Sequence, residues 1–207
     1  MTKRIPLIGI DLDGVIARHS LWGFWVILRK IKEKLLKKNK VANWYYPTTF
    51  LEKKAWIIIN QLRTPFIDKE KILASLATNN KAKFYLVTSR FKFLEKLTLS
   101  WLKRYHLDKY FSKVLINTKN INPLIFKIKA IKKYKMDFFL DDDLEVIEDL
   151  AKTTKAKLFW IVPPYKNPKE NCLSTIKSCS NLPEALKIIF NKNSPKKPFP
   201  KLKKKND

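Results

Sequence analysis

The sequence predicts an α/β fold: a parallel sheet with helices on both faces, carrying a small helical cap inserted after the first strand. Three observations predict it. Short apolar runs that stop at polar or turn residues alternate with longer helical patterns, the pattern left by strands joined through crossover helices. Several of the runs stop at Asp, Thr, Ser or Asn, residues suited to tight turns and helix caps. Roughly seventy residues separate the first run from the second, more than one crossover needs, so they require structure of their own.

In chain order, Ile5 to Ile10 is an apolar run broken by Asp11-Leu12-Asp13-Gly14, which reads as a buried strand entering a tight turn. Ser20 to Lys38 places Leu21, Trp25, Leu28, Ile31, Leu35 and Leu36 at helical spacing among Lys and Arg, an amphipathic basic helix. Phe50 to Leu62 and Lys69 to Ala77 read as further helices separated by Thr64-Pro65. Strands then follow at Lys83 to Val87, ending at Thr88-Ser89, at Val114 to Ile116, at Phe138 to Leu140, ending at Asp141-Asp142, and at Leu158 to Val162. Helical patterns fill the gaps at Phe91 to Tyr105, Pro123 to Tyr134, Asp143 to Lys152 and Pro183 to Phe190, the last with Asn181 as a cap. The expected organisation is a Rossmann-like core of residues 1–16 and 69–190, a helical cap of residues 17–68, and a disordered basic tail of residues 191–207, where Pro195, Pro198 and Pro200 stand among lysines.

Composition bounds the function classes. With 45% apolar residues in 207, the chain can bury a full α/β core. A net charge of +26, from 44 Lys and Arg against 18 Asp and Glu, fits a polyanionic partner such as nucleic acid. Codon bias of an A/T-rich genome competes strongly with that reading and fits better with lysines spread along the chain and only 3 Gly. Cys172 and Cys179 have no Cys or His cluster near them, which disfavours zinc and fits reduced thiols. Met1 to Arg4 leads straight into a short strand, and the apolar stretch Leu21 to Leu28 is far too short to span a bilayer. The expectation is a soluble cytoplasmic protein, with its oligomeric state left open.

Ligands of open parallel sheets bind outside the carboxyl ends of the strands. Three strand ends carry chemistry there: Asp11 with Asp13, Thr88 with Ser89, and Asp141 with Asp142. Carboxylates brought together in this way repel one another unless a cation sits among them, and hard oxygen ligands favour Mg²⁺. Taken singly, Asp13-Gly14 is also a plain turn and Asp141 to Asp143 a helix N-cap. It is their convergence in one chain that points to a site.

These residues resemble the haloacid dehalogenase superfamily. Asp11-Leu12-Asp13-Gly14-Val15 after an apolar strand is similar to its first motif, Leu86-Val87-Thr88-Ser89-Arg90 to its second, and Phe138-Phe139-Leu140-Asp141-Asp142 to its acidic motif. The resemblance covers roughly residues 5 to 165. It implies that Asp11 is the nucleophile, forming an aspartyl-phosphate, and that Asp13 is the general acid and base. It further implies a Mg²⁺ ion held by Asp11, the Asp13 backbone carbonyl, and Asp141 or Asp142. Thr88, Ser89 and a lysine would hold the phosphoryl group. Lys127, fourteen residues before Asp141 and near a helix start, fits the family's placement of that lysine, with Lys129 and Lys96 as alternatives.

Within the superfamily, Gly14-Val15, the small cap, and Leu140-Asp141-Asp142-Asp143 running into Leu144-Glu145-Val146-Ile147 resemble the type C deoxyribonucleotidases. That likeness implies a 5'-nucleotidase acting on nucleoside monophosphates. Trp22, Trp25, Trp44, Tyr45 and Tyr46 could stack a base or form the interior of the cap. Arg18 and His19, just after the catalytic turn, could reach phosphate or sugar, and Arg90 the leaving group. Two rival readings remain: a phosphatase trimming nucleic-acid ends, and a non-catalytic protein whose basic helix Ser20 to Lys38 lies on a membrane or nucleic acid.

Overall fold

The computed structural model describes residues 4–19, 46–65, 69–77, 82–164, 166 and 173–190. Six parallel strands form one sheet: β1 (Leu7–Ile10), β4 (Lys83–Phe91), β5 (Lys113–Asn117), β6 (Phe138–Asp141), β7 (Lys157–Ile161) and β8 (Ile176–Cys179). Their order across the sheet is β5-β4-β1-β6-β7-β8. The chain first builds outward from β1 through β4 to β5, then returns to the other side of β1 through β6. The order therefore reverses at β1, the switch point where ligands of such sheets bind. β1 pairs with β4 through Ile10↔Leu86 and with β6 through Ile10↔Leu140, so it is covered on both edges and both faces. That explains its unbroken apolar run.

Side chains of a strand alternate between faces, and two cores result. One face packs Ile8, Ile10, Leu86, Leu140 and Phe159 with Leu102 and Leu186. The other packs Val87, Phe139 and Trp160 with Ile131 and Ile147. The covering helices are α2 (Lys69–Ala77), α3 (Glu95–Arg104), α4 (Pro123–Tyr134), α5 (Leu144–Thr153) and α6 (Leu182–Phe190). At the centre of β1, a Cβ on Gly9 would meet the Phe139 ring and the Met136 sulfur at 2.6 Å each, so the backbone itself serves as the packing surface there.

Between β1 and β4 the chain leaves the sheet along β2 (Ala17–His19) and returns along β3 (Arg63–Pro65). These two strands pair antiparallel, with Ala17↔Pro65 and His19↔Arg63, so exit and return lie side by side. Helix α1 (Phe50–Gln61) leads into the return. A capping box starts it, in which Thr49 Oγ1 accepts from the Glu52 N–H and the Glu52 carboxylate accepts from the Thr49 N–H.

The structure adds elements that the apolar runs did not announce. β8 has only Ile176 and Cys179 buried, as befits an edge strand, and so lacks a continuous apolar signature. β4 continues past Thr88 to Phe91, with a register shift against β5 between those residues. Phe91 therefore belongs to a strand, and a 3₁₀ turn at Lys92–Leu94 precedes α3. The N-cap of α5 is Asp143, whose carboxylate accepts from the Glu145 N–H. The helix expected at Ser20 to Lys38, the tail from Asn191 and Cys172 lie outside the described residues. Cys179 is a free, buried thiol that burial pushes up to about 12, which makes it inert. Among the described residues no helix is long and apolar enough to cross a membrane.

Candidate active site

The tight turn after β1 builds the first wall of the site. Gly14 and Ala17 close it through a 2.8 Å N–H to carbonyl bond, and the Ile16 and Ala17 N–H groups both donate to the Leu12 carbonyl. Gly14 sits at φ +86, and a Cβ there would collide with the Asp142 carboxylate. Glycine is thus required twice over, for the backbone conformation and for the approach of the second acidic segment. That segment ends β6, and the Trp160 indole N–H donates to the Asp142 carbonyl at 3.0 Å to hold it in place.

Asp11, Asp141 and Asp142 each offer a carboxylate oxygen within 4.8 Å of the others. Asp11 and Asp141 are buried, and Asp142 is partly exposed. Lys127 enters from α4, with Nζ 2.6 Å from Asp141 Oδ2 and 3.2 Å from Asp11 Oδ1. Asn122 caps α4 and Pro123 opens it, one turn before the buried Lys127. Lys96 and Lys129 are exposed.

Electrostatics of this cluster favour a cation. Burial pushes the Asp11 carboxyl up to about 8, with Asp141 and Asp13 repelling its charge and Lys127 only partly offsetting them. Burial and the Asp141 and Asp11 charges also push Asp142 well above the usual carboxylate range. Burial alone would lower Lys127, but Asp11 and Asp141 more than offset it and hold the ammonium charged. One lysine cannot balance three converging carboxylates, and a small hard cation among them would. The oxygens of Asp141 are already engaged, Oδ2 by Lys127 and Oδ1 by the Asp143 N–H at 3.1 Å.

Asp13 stands apart from this cluster. Its carboxylate accepts from Arg90 Nε at 2.9 Å and Arg90 Nη2 at 2.7 Å, and it also pairs with Arg63 Nη1. A cavity of about 240 Å³ joins Asp11, Asp13, Lys127 and Asp142. Its remaining wall includes Ser89, Arg63 and, from α1, Trp56 and Asn60. Three buried polar atoms have no hydrogen-bond partner among the described residues, Asn60 Oδ1, Arg63 Nε and Ser89 Oγ. All three belong to residues of this one cavity. An unpartnered buried polar atom costs about 1–3 kcal/mol, and their concentration at one place marks it as a binding surface.

The expected residues divide plainly. Asp11, Asp13, Ser89, Arg90, Lys127, Asp141 and Asp142 line the cavity. Thr88 is buried beside it, its hydroxyl accepting from the Arg90 N–H at 3.3 Å. Arg90, expected near a leaving group, pairs with the Asp13 carboxylate. Arg18 is exposed on β2, opposite Thr64. His19 pairs with Arg63 through the backbone, and its side chain lies outside the described residues, as do Trp22, Trp25, Trp44 and Tyr45. Tyr46 packs edge-on against Phe91 at 5.1 Å. Sequence reasoning missed Arg63, Asn60 and Trp56. The available signal was Asn60 and Arg63 following the apolar run Ala55 to Ile59.

No protein-family model and no curated protein sequence matches this chain. Solved structures do. A candidate β-phosphoglucomutase from Thermotoga maritima superposes with a TM-score of 0.58 at 13% identity, over 89% of this chain and 97% of that one. A candidate haloacid dehalogenase-like hydrolase from Bacteroides fragilis gives 0.58 at 16% identity, over 88% and 100%. The candidate HAD-hydrolase YfnB from Bacillus subtilis, solved with magnesium bound, gives 0.57 at 13% identity, over 91% and 100%. Strand order, the inserted segment and these likenesses together show that the chain has the fold of the haloacid dehalogenase-like hydrolases.

Proposed function

We propose that this protein is a Mg²⁺-dependent phosphate-monoester hydrolase that works through an aspartyl-phosphate on Asp11, with (deoxy)nucleoside monophosphates as its substrates. The observation that carries this reading is the meeting of Asp11, Asp141 and Asp142 within 4.8 Å, with Lys127 bridging two of them. Asp142 and Asp11, with the Asp13 backbone carbonyl, would hold the cation. Asp141, both of whose oxygens are engaged, positions Lys127 and lies within reach of the same ion. When bound, Mg²⁺ supplies neutralisation of charge between a carboxylate nucleophile and an anionic phosphoryl group.

The chain's own residues perform the rest. An Asp11 oxygen attacks phosphorus, and a new P–O bond forms as the ester P–O bond breaks. Asp13 gives its proton to the departing oxygen, then removes a proton from the water that hydrolyses the acyl phosphate. Lys127, Ser89 and backbone N–H groups near Thr88 hold phosphoryl oxygens. Trp56, on the cavity wall from α1, offers an aromatic face to a base.

A second reading has its own support. A cavity of about 240 Å³ suits a phosphoryl group and a sugar, so small sugar phosphates rival nucleotides as substrates. A panel of phosphate esters with Mg²⁺ separates the two. Wild type is expected to release phosphate, fastest from nucleoside monophosphates. Asp11→Asn is expected to lose at least about a thousandfold of that rate, and EDTA to abolish it. Full activity in Asp11→Asn or in EDTA would overturn the mechanism, and faster release from sugar phosphates would overturn the nucleotide assignment.

A further inference from the structure

Asp13 is held in an unusual way for a proton-transfer group. Arg90 presents a two-pronged fork, Nε to Oδ2 at 2.9 Å and Nη2 to Oδ1 at 2.7 Å. Arg63 adds a second guanidinium on Oδ1. The Arg90 and Arg63 side chains are 3% and 10% exposed, against 29% for Asp13, so both guanidiniums are built into the protein and the carboxylate faces the cavity. A bidentate guanidinium fixes the plane of a carboxylate as well as its distance, which a lysine cannot do.

Both arginines rest on one helix. Arg90 Nη1 donates to Thr98 Oγ1 at 3.2 Å, and Thr98 Oγ1 donates in turn to the Leu94 carbonyl at 2.9 Å. The Trp101 indole N–H donates to the Arg63 carbonyl at 3.0 Å. Thr98 and Trp101 are three residues apart on α3 and both buried, hence on the same helix face. The arginines themselves come from different sheets: Arg90 from β4 in the large sheet, Arg63 from β3 in the ribbon by which the inserted segment returns.

Charge balance alone does not explain the arrangement, because lysines would supply the same charge without a fork. We propose that Arg63 and Arg90 are positioning residues that set the direction of the Asp13 carboxylate toward the departing oxygen, with Thr98 fixing Arg90. This rests on the reading of Asp13 as the general acid and base. Because Arg63 arrives on β3, the inserted segment completes the proton-transfer group only when its return strand is seated beside β2. A displacement of about 1 Å in such a group is enough to cost on the order of a hundredfold in rate.

The test uses the full chain and two esters that differ in the basicity of the leaving oxygen, a nucleoside 5'-monophosphate and p-nitrophenyl phosphate. The readout is kcat/KM, which covers the steps through departure of that oxygen. A nitrophenolate needs little protonation to leave, whereas an alkoxide needs it. Asp13→Asn is therefore expected to lower kcat/KM for the nucleotide about a hundredfold more than for the nitrophenyl ester. Arg90→Lys, Arg63→Lys and the milder Thr98→Val are expected to reproduce that imbalance at about tenfold, with the inhibition constant of inorganic phosphate unchanged. Equal losses on both esters, or weaker phosphate inhibition, would mean that the arginines bind the phosphoryl group or merely support the fold, and would overturn the proposal. No imbalance in Asp13→Asn would instead remove the acid and base role of Asp13, and no hydrolysis by wild type would remove both.

Discussion

Each carboxylate of the site has a distinct task because its neighbours differ. Asp11 and Asp141 share Lys127, Asp142 meets Gly14, and Asp13 is gripped by two arginines. One consequence concerns pH. Without a cation, Asp11 titrates near 8 in the folded chain, against about 3.9 when unfolded. A carboxyl whose folded value is raised contributes stability that is full below the unfolded value and lost as pH rises through the folded one. The metal-free protein should therefore weaken between about pH 4 and pH 8. Cation binding requires the ionised carboxylates, so it strengthens over the same range. The rise in Tm on adding Mg²⁺ is expected to be larger at pH 8 than at pH 5, and to shrink at both in Asp142→Asn. Thermal scans with Mg²⁺ and with EDTA check this, and a rise independent of pH would contradict it.

At the scale of elements, helix starts aim the chemistry. Asn122 caps α4, its side chain accepting from the Leu124 and Ile125 N–H groups at 2.9 and 3.3 Å, and Pro123 occupies the first turn. Lys127 lies one turn further on, buried against the carboxylates. Asn122→Ala is expected to cost about 1 kcal/mol of stability, measured by urea unfolding, and to reduce phosphate release by loosening Lys127. Unchanged stability would mean that α4 is held by its packing alone. Much of this element was legible in the residues. Pro123 to Tyr134 shows helical spacing with a proline in its first turn, and its observed bounds coincide with that pattern. Ile176–Cys179 was not legible, because an edge strand with two buried side chains has no apolar run to betray it.

At the scale of the molecule, the net charge of +26 needs an account. On the rim opposite the site, a concavity of about 790 Å³ collects Arg4, Lys132, Lys135, Lys155 and Lys157. α4 and α5 end there, at Tyr134 and Thr153, and cations at helix C-termini complement the macrodipole. These five groups have a local reason to be where they are, and helix C-termini disfavour a bound phosphate there, while the other basic residues are spread along the chain. Raising salt from 50 to 200 mM should thus change the hydrolysis of a mononucleotide by less than about threefold and give no advantage to an oligonucleotide with the same terminal phosphate. A nucleic-acid-binding enzyme making 6–10 phosphate contacts would lose about 10³–10⁵ in affinity for the oligomer over that range. Initial rates on both substrates at the two salt concentrations decide the matter.

The order of apolar runs and the residues that close them determined, by sequence alone, a parallel α/β sheet with Asp11 and Asp141 each closing an apolar strand. Those features depend on local chemistry, namely burial periodicity and the turn residues that interrupt it. Only the tertiary structure decided which groups meet. The choice of Lys127 over Lys96 and Lys129 depends on which face of a helix reaches the sheet. The convergence of Arg63 and Arg90 on Asp13 joins residues 50 and 77 positions away from it in the chain. No periodicity encodes such a pairing, because it depends on the return path of the inserted segment and on the side of β4 that faces the turn after β1.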